Sequence, residues 1–274
     1  MSTEGSLSRT TLPIGLAALA VWVGYVAFQG SALASAGLGL HARIIVTEVC
    51  LAAPALLALL SFQIPAREGL ALLPVTPRAL LRTLLASGAL WICAIGLSFV
   101  QSILWPAPPG HAEMFVEFWD VMTPRHAGGA LLSLLAVAFV PAVCEELLFR
   151  GALLPALLTR LRAPAAILVS AALFGAIHTM PTKDGDVTLY QVPQAMVVGL
   201  ALGVLRLRSG SLLPGIIAHT LYNGTTFVLA MLMEEFNPSF GAGLVMMIAG
   251  GMTLAWLLGR FRTAPPPRLL DSTP

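Results

Sequence analysis

Residues 129–152 read GALLSLLAVAFVPAVCEELLFRGA, an apolar stretch that nevertheless carries two acids and an arginine. A helix needs roughly 20 apolar residues to cross about 30 Å of hydrocarbon, and this stretch is long enough. Similar runs recur along the chain, in which 57% of the 274 residues are hydrophobic, 10% are charged and the mean hydropathy is +0.87. A soluble domain carries about 25% charged residues. The composition therefore excludes a soluble domain and predicts an all-α, polytopic membrane protein.

Eight transmembrane helices can be placed on the sequence. We predict them at 12–35, 44–64, 80–105, 129–152, 164–180, 190–206, 211–233 and 240–260. No connecting segment is long enough for a soluble domain, so we expect residues 1–274 to form a single integral membrane domain. Transmembrane β-strands are disfavoured, because no segment of about ten residues alternates between apolar and polar positions.

The basic residues of the connecting segments fall mostly on one side of the predicted membrane. Positively charged loops are typical of the cytoplasmic side, which places both termini in the cytoplasm. We expect the protein in the inner (cell) membrane of a bacterium. The residues on this side are Arg9, Arg67, Arg78, Arg82, Arg160, Arg162, Arg206, Arg208, Arg260, Arg262 and Arg268, against Arg43, Arg125 and Lys183 on the other side.

The segments outside the spans carry three further expectations. Residues 106–126 place acids and aromatic residues at helical spacing, which predicts an amphipathic helix lying in the membrane interface between spans three and four. The proline-rich tail, residues 263–274, is expected to be disordered. Residues 1–36 end in Ala-Leu-Ala-Ser-Ala, so removal of this stretch as a signal peptide is the alternative to a first span.

Ionisable groups inside the spans are the candidates for function. Placing each such group in the membrane costs about 2.5–3.5 kcal/mol on insertion scales, so its presence indicates a structural or functional role. We expect Glu48 on span two to be structural and close to the outer interface. The other candidates are Glu145, Glu146 and Arg150 on span four, His178 on span five, and His219 with Asn223 on span seven.

Helical geometry separates these candidates. Glu146 and Arg150 are four residues apart and can pair on one helix face. Glu145 lies about 100° around the helix without such a local partner, which suits a group that takes and returns protons. At about 1.5 Å per residue, Glu145 and His178 each lie about 22 Å from the basic turn between spans four and five. The three helices could therefore meet near the middle of the membrane, towards its non-cytoplasmic half.

Three motifs carry a resemblance to a known family. Glu145-Glu146-x-x-x-Arg150, Phe174-x-x-x-His178 and His219-x-x-x-Asn223 resemble, in this order and on separate spans, the signature motifs of the CPBP family. These are the CAAX-protease and bacteriocin-processing intramembrane endopeptidases, also called the Abi or type II CAAX prenyl endopeptidase family. The resemblance covers about residues 130–226, the core of the family.

The resemblance implies an eight-helix fold and proteolysis within the membrane. Glu145 would activate the attacking water, His178 would help to hold it, and His219 with Asn223 would stabilise the oxyanion. Glu146 and Arg150 would support the site. We expect no cofactor, because the H-E-x-x-H spacing of zinc proteases is absent. The alternative is zinc held by Glu145, His178 and His219.

The expected partners are the lipid bilayer and a peptide or protein substrate at the membrane, such as a lipidated or C-terminally tagged one; no nucleic acid is expected. Two other functions stay open. One is a non-catalytic scaffold or immunity factor of the same fold. The other is a transporter or proton relay, which predicts inverted repeats or broken half-helices that the sequence does not display.

Overall fold

The structure, a computed structural model, describes residues 10–109, 127–181, 187–232 and 239–261. These residues are almost entirely helical, which confirms the predicted all-α class. The helices are α1 (Ile14–Ala34), α2 (Leu40–Ser61), the short α3 (Ala66–Gly69), α4 (Pro77–Leu104), the composite α5 (127–158), α6 (Ala163–Ala176), α7 (Val192–Ser209), α8 (Leu213–Leu232) and α9 (Phe240–Gly259). Two short strands, β1 (Met180–Pro181) and β2 (Val187–Thr188), pair antiparallel between α6 and α7.

Each of the eight predicted spans corresponds to one helix. Seven helices of the described chain are long and apolar enough to cross a membrane, so the protein is an integral membrane protein. Helix α6 differs from them, because its 14 residues rise only about 21 Å. The predicted single-domain organisation stays a prediction. The predicted interfacial helix falls mostly on residues 110–126 and the predicted disordered tail on 263–274, which lie outside the described residues.

Helix α5 is interrupted twice by π-helical turns. Residues Leu135–Phe139 and Leu147–Leu153 are π-helical and alternate with the α-helical segments Ala127–Leu134, Val140–Glu146 and Leu154–Leu158. Each π segment ends two residues before a proline, Pro141 or Pro155. Proline donates no backbone hydrogen bond and its ring clashes with the preceding turn, which gives a physical reason for the wider turns. Glu145 and Glu146 therefore lie on a short α-helical segment between two wide turns.

Close helix packing depends on small residues. The Gly199-x-x-x-Gly203 pattern joins α7 to α6, because a Cβ atom at Gly199 would lie 3.1 Å from the Cα atom of Ala171. A Cβ atom at Gly203 would lie 3.0 Å from the Ile167 side chain. The two glycines thus allow close packing of the helices. Cys50, Cys93 and Cys144 are all free.

The arginine-rich connections meet at one end of the bundle. Arg82 at the start of α4 donates a 2.7 Å hydrogen bond to the carbonyl of Arg260 after α9. Ser211 before α8 donates a 2.7 Å hydrogen bond to the carbonyl of Leu73. With the antiparallel course of successive helices, this arrangement puts eight of the described arginines at one end and Arg43 near the other. The eight arginines at the first of these ends are Arg67, Arg78, Arg82, Arg160, Arg162, Arg206, Arg208 and Arg260.

Candidate active site

A cavity of about 590 Å³ lies among α1, α2, α4, α5, α6, α7 and α8. Its walls include Glu145, His178, His219 and Asn223, so the four residues expected to be catalytic face one space. Polar side chains that were not predicted to be catalytic also line the cavity. These are Tyr25, Gln29, Glu48, Ser98, Thr179, Gln191, Gln194, Tyr222 and Thr226.

The predicted pair of Glu146 and Arg150 is present and fully buried. Nη1 of Arg150 donates a 2.6 Å hydrogen bond to Oε1 of Glu146, and neither side chain is exposed to solvent. Nη2 of Arg150 also donates a 3.0 Å bond to the carbonyl of Gly199 on α7. The guanidinium lies over the Phe174 ring, 4.4 Å from its centroid. The pair thus ties α5 to α6 and α7 directly behind the cavity.

The imidazole of His219 lies between both acids of the first motif. Its Nε2 atom is 3.6 Å from Oε2 of Glu145, and its Nδ1 atom is 3.5 Å from Oε1 of Glu146. Both distances exceed those of good hydrogen bonds but are close for ion-pair contacts. His219 is 3% exposed, so little water screens these contacts. Glu146 therefore orients the ring so that Nε2 faces Glu145.

His178 does not lie inside a helix, contrary to the prediction of a span over 164–180. Helix α6 ends at Ala176, and the amides of His178 and Thr179 bond three residues back, to Gly175 and Ala176, in a tight turn. Nδ1 of His178 lies 2.7 Å from the carbonyl of Phe174. A carbonyl only accepts, so Nδ1 carries a proton in this contact, and in the neutral form of the ring the lone pair lies on Nε2. The early end of α6 brings this imidazole to the cavity wall.

Phe174 packs against Arg150, His178 and His219. Its ring centroid lies 4.7 Å from that of His178 and 5.8 Å from that of His219. It also packs edge-on against Phe149 at 5.2 Å. Phe174, the first residue of the second motif, is therefore a buried side chain that holds both imidazoles in place.

Glu48, which was expected to be structural and close to the outer interface, lies on the cavity wall. Helix α2 begins at Leu40 rather than at residue 44, which places Glu48 about two turns inside the helix. The side chain is 7% exposed and lines the same cavity as Glu145. Of the missed wall residues, Gln194 donates a 2.8 Å hydrogen bond to the hydroxyl of Tyr222 and braces α7 against α8. The only sequence signal for these residues was a polar side chain within an apolar span.

The proposed zinc ligands do not form a metal site in this arrangement. Within the described residues, no three histidine, cysteine, aspartate or glutamate side chains form a group that could hold a metal ion. The set Glu145, His178 and His219 therefore does not fit zinc here, and the metal-free mechanism stays a prediction.

The comparisons with known proteins agree with the motifs. Residues 127–225 match the family model described as Type II CAAX prenyl endopeptidase Rce1-like, and this range contains all three motifs. The match supports the CPBP, or CAAX protease, family for this core. The family implies an intramembrane protease of the CAAX type that acts on prenylated proteins at the membrane, although members can be inactive. No curated protein and no solved structure matches the chain.

Gly215, within the matched residues 127–225, allows α8 to approach the buried pair. A Cβ atom at Gly215 would lie 2.6 Å from Oε2 of Glu146, whereas one at Gly224 on the same helix would meet nothing closer than 3.7 Å. We expect Gly215→Ala to lower the free energy of unfolding by about 1–3 kcal/mol, because it overpacks a rigid site. Gly224→Ala is the matched control and should be neutral or stabilising. Thermal unfolding in detergent measures both, and equal effects would contradict the close approach.

Proposed function

We propose that this protein is an intramembrane endopeptidase that hydrolyses a peptide bond near the membrane with a water activated by Glu145. The observation that carries the proposal is the convergence of Glu145, His178, His219 and Asn223 on one cavity. A carboxylate beside two imidazoles and an amide supplies a proton acceptor and hydrogen-bond donors, which is what amide hydrolysis requires.

The first step is attack by water. Glu145 accepts one proton of the water while the oxygen bonds to the carbonyl carbon of the substrate. Nε2 of His178 accepts a hydrogen bond from the second proton and so orients the water, since Nδ1 is held by Phe174. The new tetrahedral oxyanion accepts hydrogen bonds from His219 and Asn223. As the C–N bond breaks, a proton passes to the leaving nitrogen, and an acid and an amine are released.

The charges of the site favour this arrangement. Arg150 pairs with Glu146, and the imidazole of His219 lies beside both carboxylates. The pairing of Arg150 with Glu146 matters because an unpaired charge in a buried site costs several kcal/mol. Glu146 and Arg150 thus act as supporting groups that hold His219 and Phe174 rather than as reacting groups.

The test of the proposal compares membrane proteomes from cells that carry the native chain or Glu145→Gln. We expect at least one polypeptide to stay uncut in the variant, because hydrolysis stops while the protein remains in the membrane. Glu68→Gln, which changes an exposed glutamate of α3, is the control. If Glu145→Gln leaves both the proteome and the biological role unchanged, the non-catalytic scaffold or immunity factor replaces the protease.

We propose further that the hydrolysis needs no metal ion. Cleavage by the enzyme reconstituted in proteoliposomes is then expected to persist after treatment with a zinc chelator. Loss of activity with the chelator and recovery on addition of zinc would contradict this expectation.

We also propose that both termini are cytoplasmic and that the cavity opens on the opposite side of the membrane. The arginine-rich end of the bundle is the cytoplasmic end by the positive-inside rule. In α1, α4 and α7 the cavity draws on the half of the helix away from that end, with Gln29 and Ser98 late in α1 and α4 and Gln194 early in α7. Glu145 and His219 lie deeper, towards the arginine-rich end of α5 and α8. The substrate would therefore be a segment of an exported or membrane-anchored protein.

Cysteine labelling tests this orientation. Leu189, exposed before α7, and Pro74, exposed before α4, lie at opposite ends of the bundle. We expect a membrane-impermeant maleimide to label Leu189→Cys in intact cells and Pro74→Cys only after permeabilisation. The native chain with its three cysteines gives the background. The reverse pattern would place the cavity mouth in the cytoplasm.

A further inference from the structure

Glu48 is a second carboxyl group in the cavity that the family motifs do not include. It lies on the face of α2 that also presents Leu51, one turn later, to the cavity. Its neighbour Thr47 does not line the cavity, and its hydroxyl bonds to the carbonyl of Ile44. The side of α2 that faces the site therefore carries one acid.

In the part of the chain that the structure describes, Glu48 has no cationic partner. Within the described residues, its Oε2 atom is buried without a hydrogen bond, and no arginine, lysine or histidine forms an ion pair with it. Glu145, in contrast, lies 3.6 Å from the imidazole of His219. A carboxyl group buried without a cationic partner is less costly in its uncharged form.

The two carboxyl groups line the same cavity. Helix α2 packs directly against the Val140–Glu146 segment of α5, which brings them to the same wall of the cavity. Two neighbouring acids in a low dielectric environment share one proton, and the one without a cation beside it keeps that proton. When two nearby carboxyl groups have different surroundings, one acts as the base and the other as the acid.

We propose that Glu48 is a catalytic acid that gives its proton to the leaving nitrogen. This inference rests on the proposed endopeptidase function. Glu145 takes a proton from water as the water oxygen bonds to the carbonyl carbon, and Glu48 protonates the nitrogen as the C–N bond breaks. The products are a carboxylic acid and an amine. Glu145 then carries a proton and Glu48 is ionised, so transfer of that proton from Glu145 to Glu48 restores the starting state.

The experiment compares two leaving groups: the amine of an amide, which needs a proton to leave, and the thiolate of a thioester, which does not. The native enzyme in proteoliposomes is given a library of acetylated decapeptides, and the peptide cut fastest is synthesised again with a thioester at the cleaved bond. A thiol has a pKa of about 8.5, so the thiolate leaves without protonation. The amide and thioester rates are measured for the native enzyme, Glu48→Gln, Glu145→Gln and Glu68→Gln. The ratio of the amide rate to the thioester rate within one preparation does not depend on the fraction of folded enzyme.

We expect Glu48→Gln to lower the amide rate about 10²- to 10⁴-fold and to leave the thioester rate at the native level. Glu145→Gln should lower both rates, and Glu68→Gln neither. If Glu48→Gln does not fold, Glu48→Asp and Glu48→Asn replace it, and only the aspartate should retain the native preference for the amide. An unchanged ratio of amide to thioester rate in the folded variants would overturn the role of Glu48. If the native enzyme cuts no peptide, the proposed function itself fails and the inference falls with it.

Discussion

Replacement of Glu145 by glutamine is expected to slow peptide hydrolysis by about 10²- to 10⁴-fold, the usual contribution of a positioned general base. Glutamine has nearly the same shape but cannot take a proton from water. The carboxyl group makes its closest polar contact with His219 at 3.6 Å, so little binding energy is lost with the charge. We therefore expect the melting temperature in detergent to stay at the native value while the rate falls.

The measurement is the cleavage rate of the fastest peptide in proteoliposomes, together with thermal unfolding of the same preparation. Glu68→Gln changes an exposed glutamate to the same residue and should alter neither quantity. If the cleavage rate falls only in proportion to the fraction of folded protein, then Glu145 supports the structure and does not take part in the reaction.

Breaking the buried pair of Glu146 and Arg150 is expected to give the largest loss of stability. Removing one partner leaves the other charge unpaired in an interior without exposed surface, which costs about 3–5 kcal/mol. Arg150→Met should therefore lower the free energy of unfolding by about that amount, and Glu146→Leu by a similar amount. The double variant should recover much of the loss, because no buried charge remains unpaired. Recovery stays incomplete, since the carbonyl of Gly199 also loses its donor.

Chemical unfolding in detergent of the native chain, the two single variants and the double variant forms a complete cycle. Arg160→Met, at an exposed position after α5, is the control and should change the free energy of unfolding by less than about 0.5 kcal/mol. Additive losses in the double variant would show that the two side chains do not stabilise each other.

Features that depend on one helix alone could be predicted from the sequence. The spacing of Glu146 and Arg150 fixes their pairing through helix geometry, and the structure confirms it. The spans follow from the length of apolar runs, and the structure has one helix for each of them. Glu145, His178, His219 and Asn223 line one cavity, in agreement with the similar depth predicted for Glu145 and His178.

Features that depend on how helices meet could not be predicted. Glu48 lies beside Glu145 because α2 packs on α5, and nothing in the sequence around Glu48 specifies that neighbour. His219 contacts Glu146 as well as Glu145, which follows from the approach of α8 at Gly215. The early end of α6 was also missed, because the apolar run continues past Ala176 while the backbone already turns.

The short length of α6 has a consequence for the surrounding lipid. A helix that rises about 21 Å cannot match hydrocarbon about 30 Å thick, so the acyl chains beside it must compress or admit solvent. His178 stands at the end of this helix, next to that thinned region. A polar stretch of another protein could then reach the reacting groups without crossing a full leaflet of lipid tails, and thicker membranes would make that approach harder.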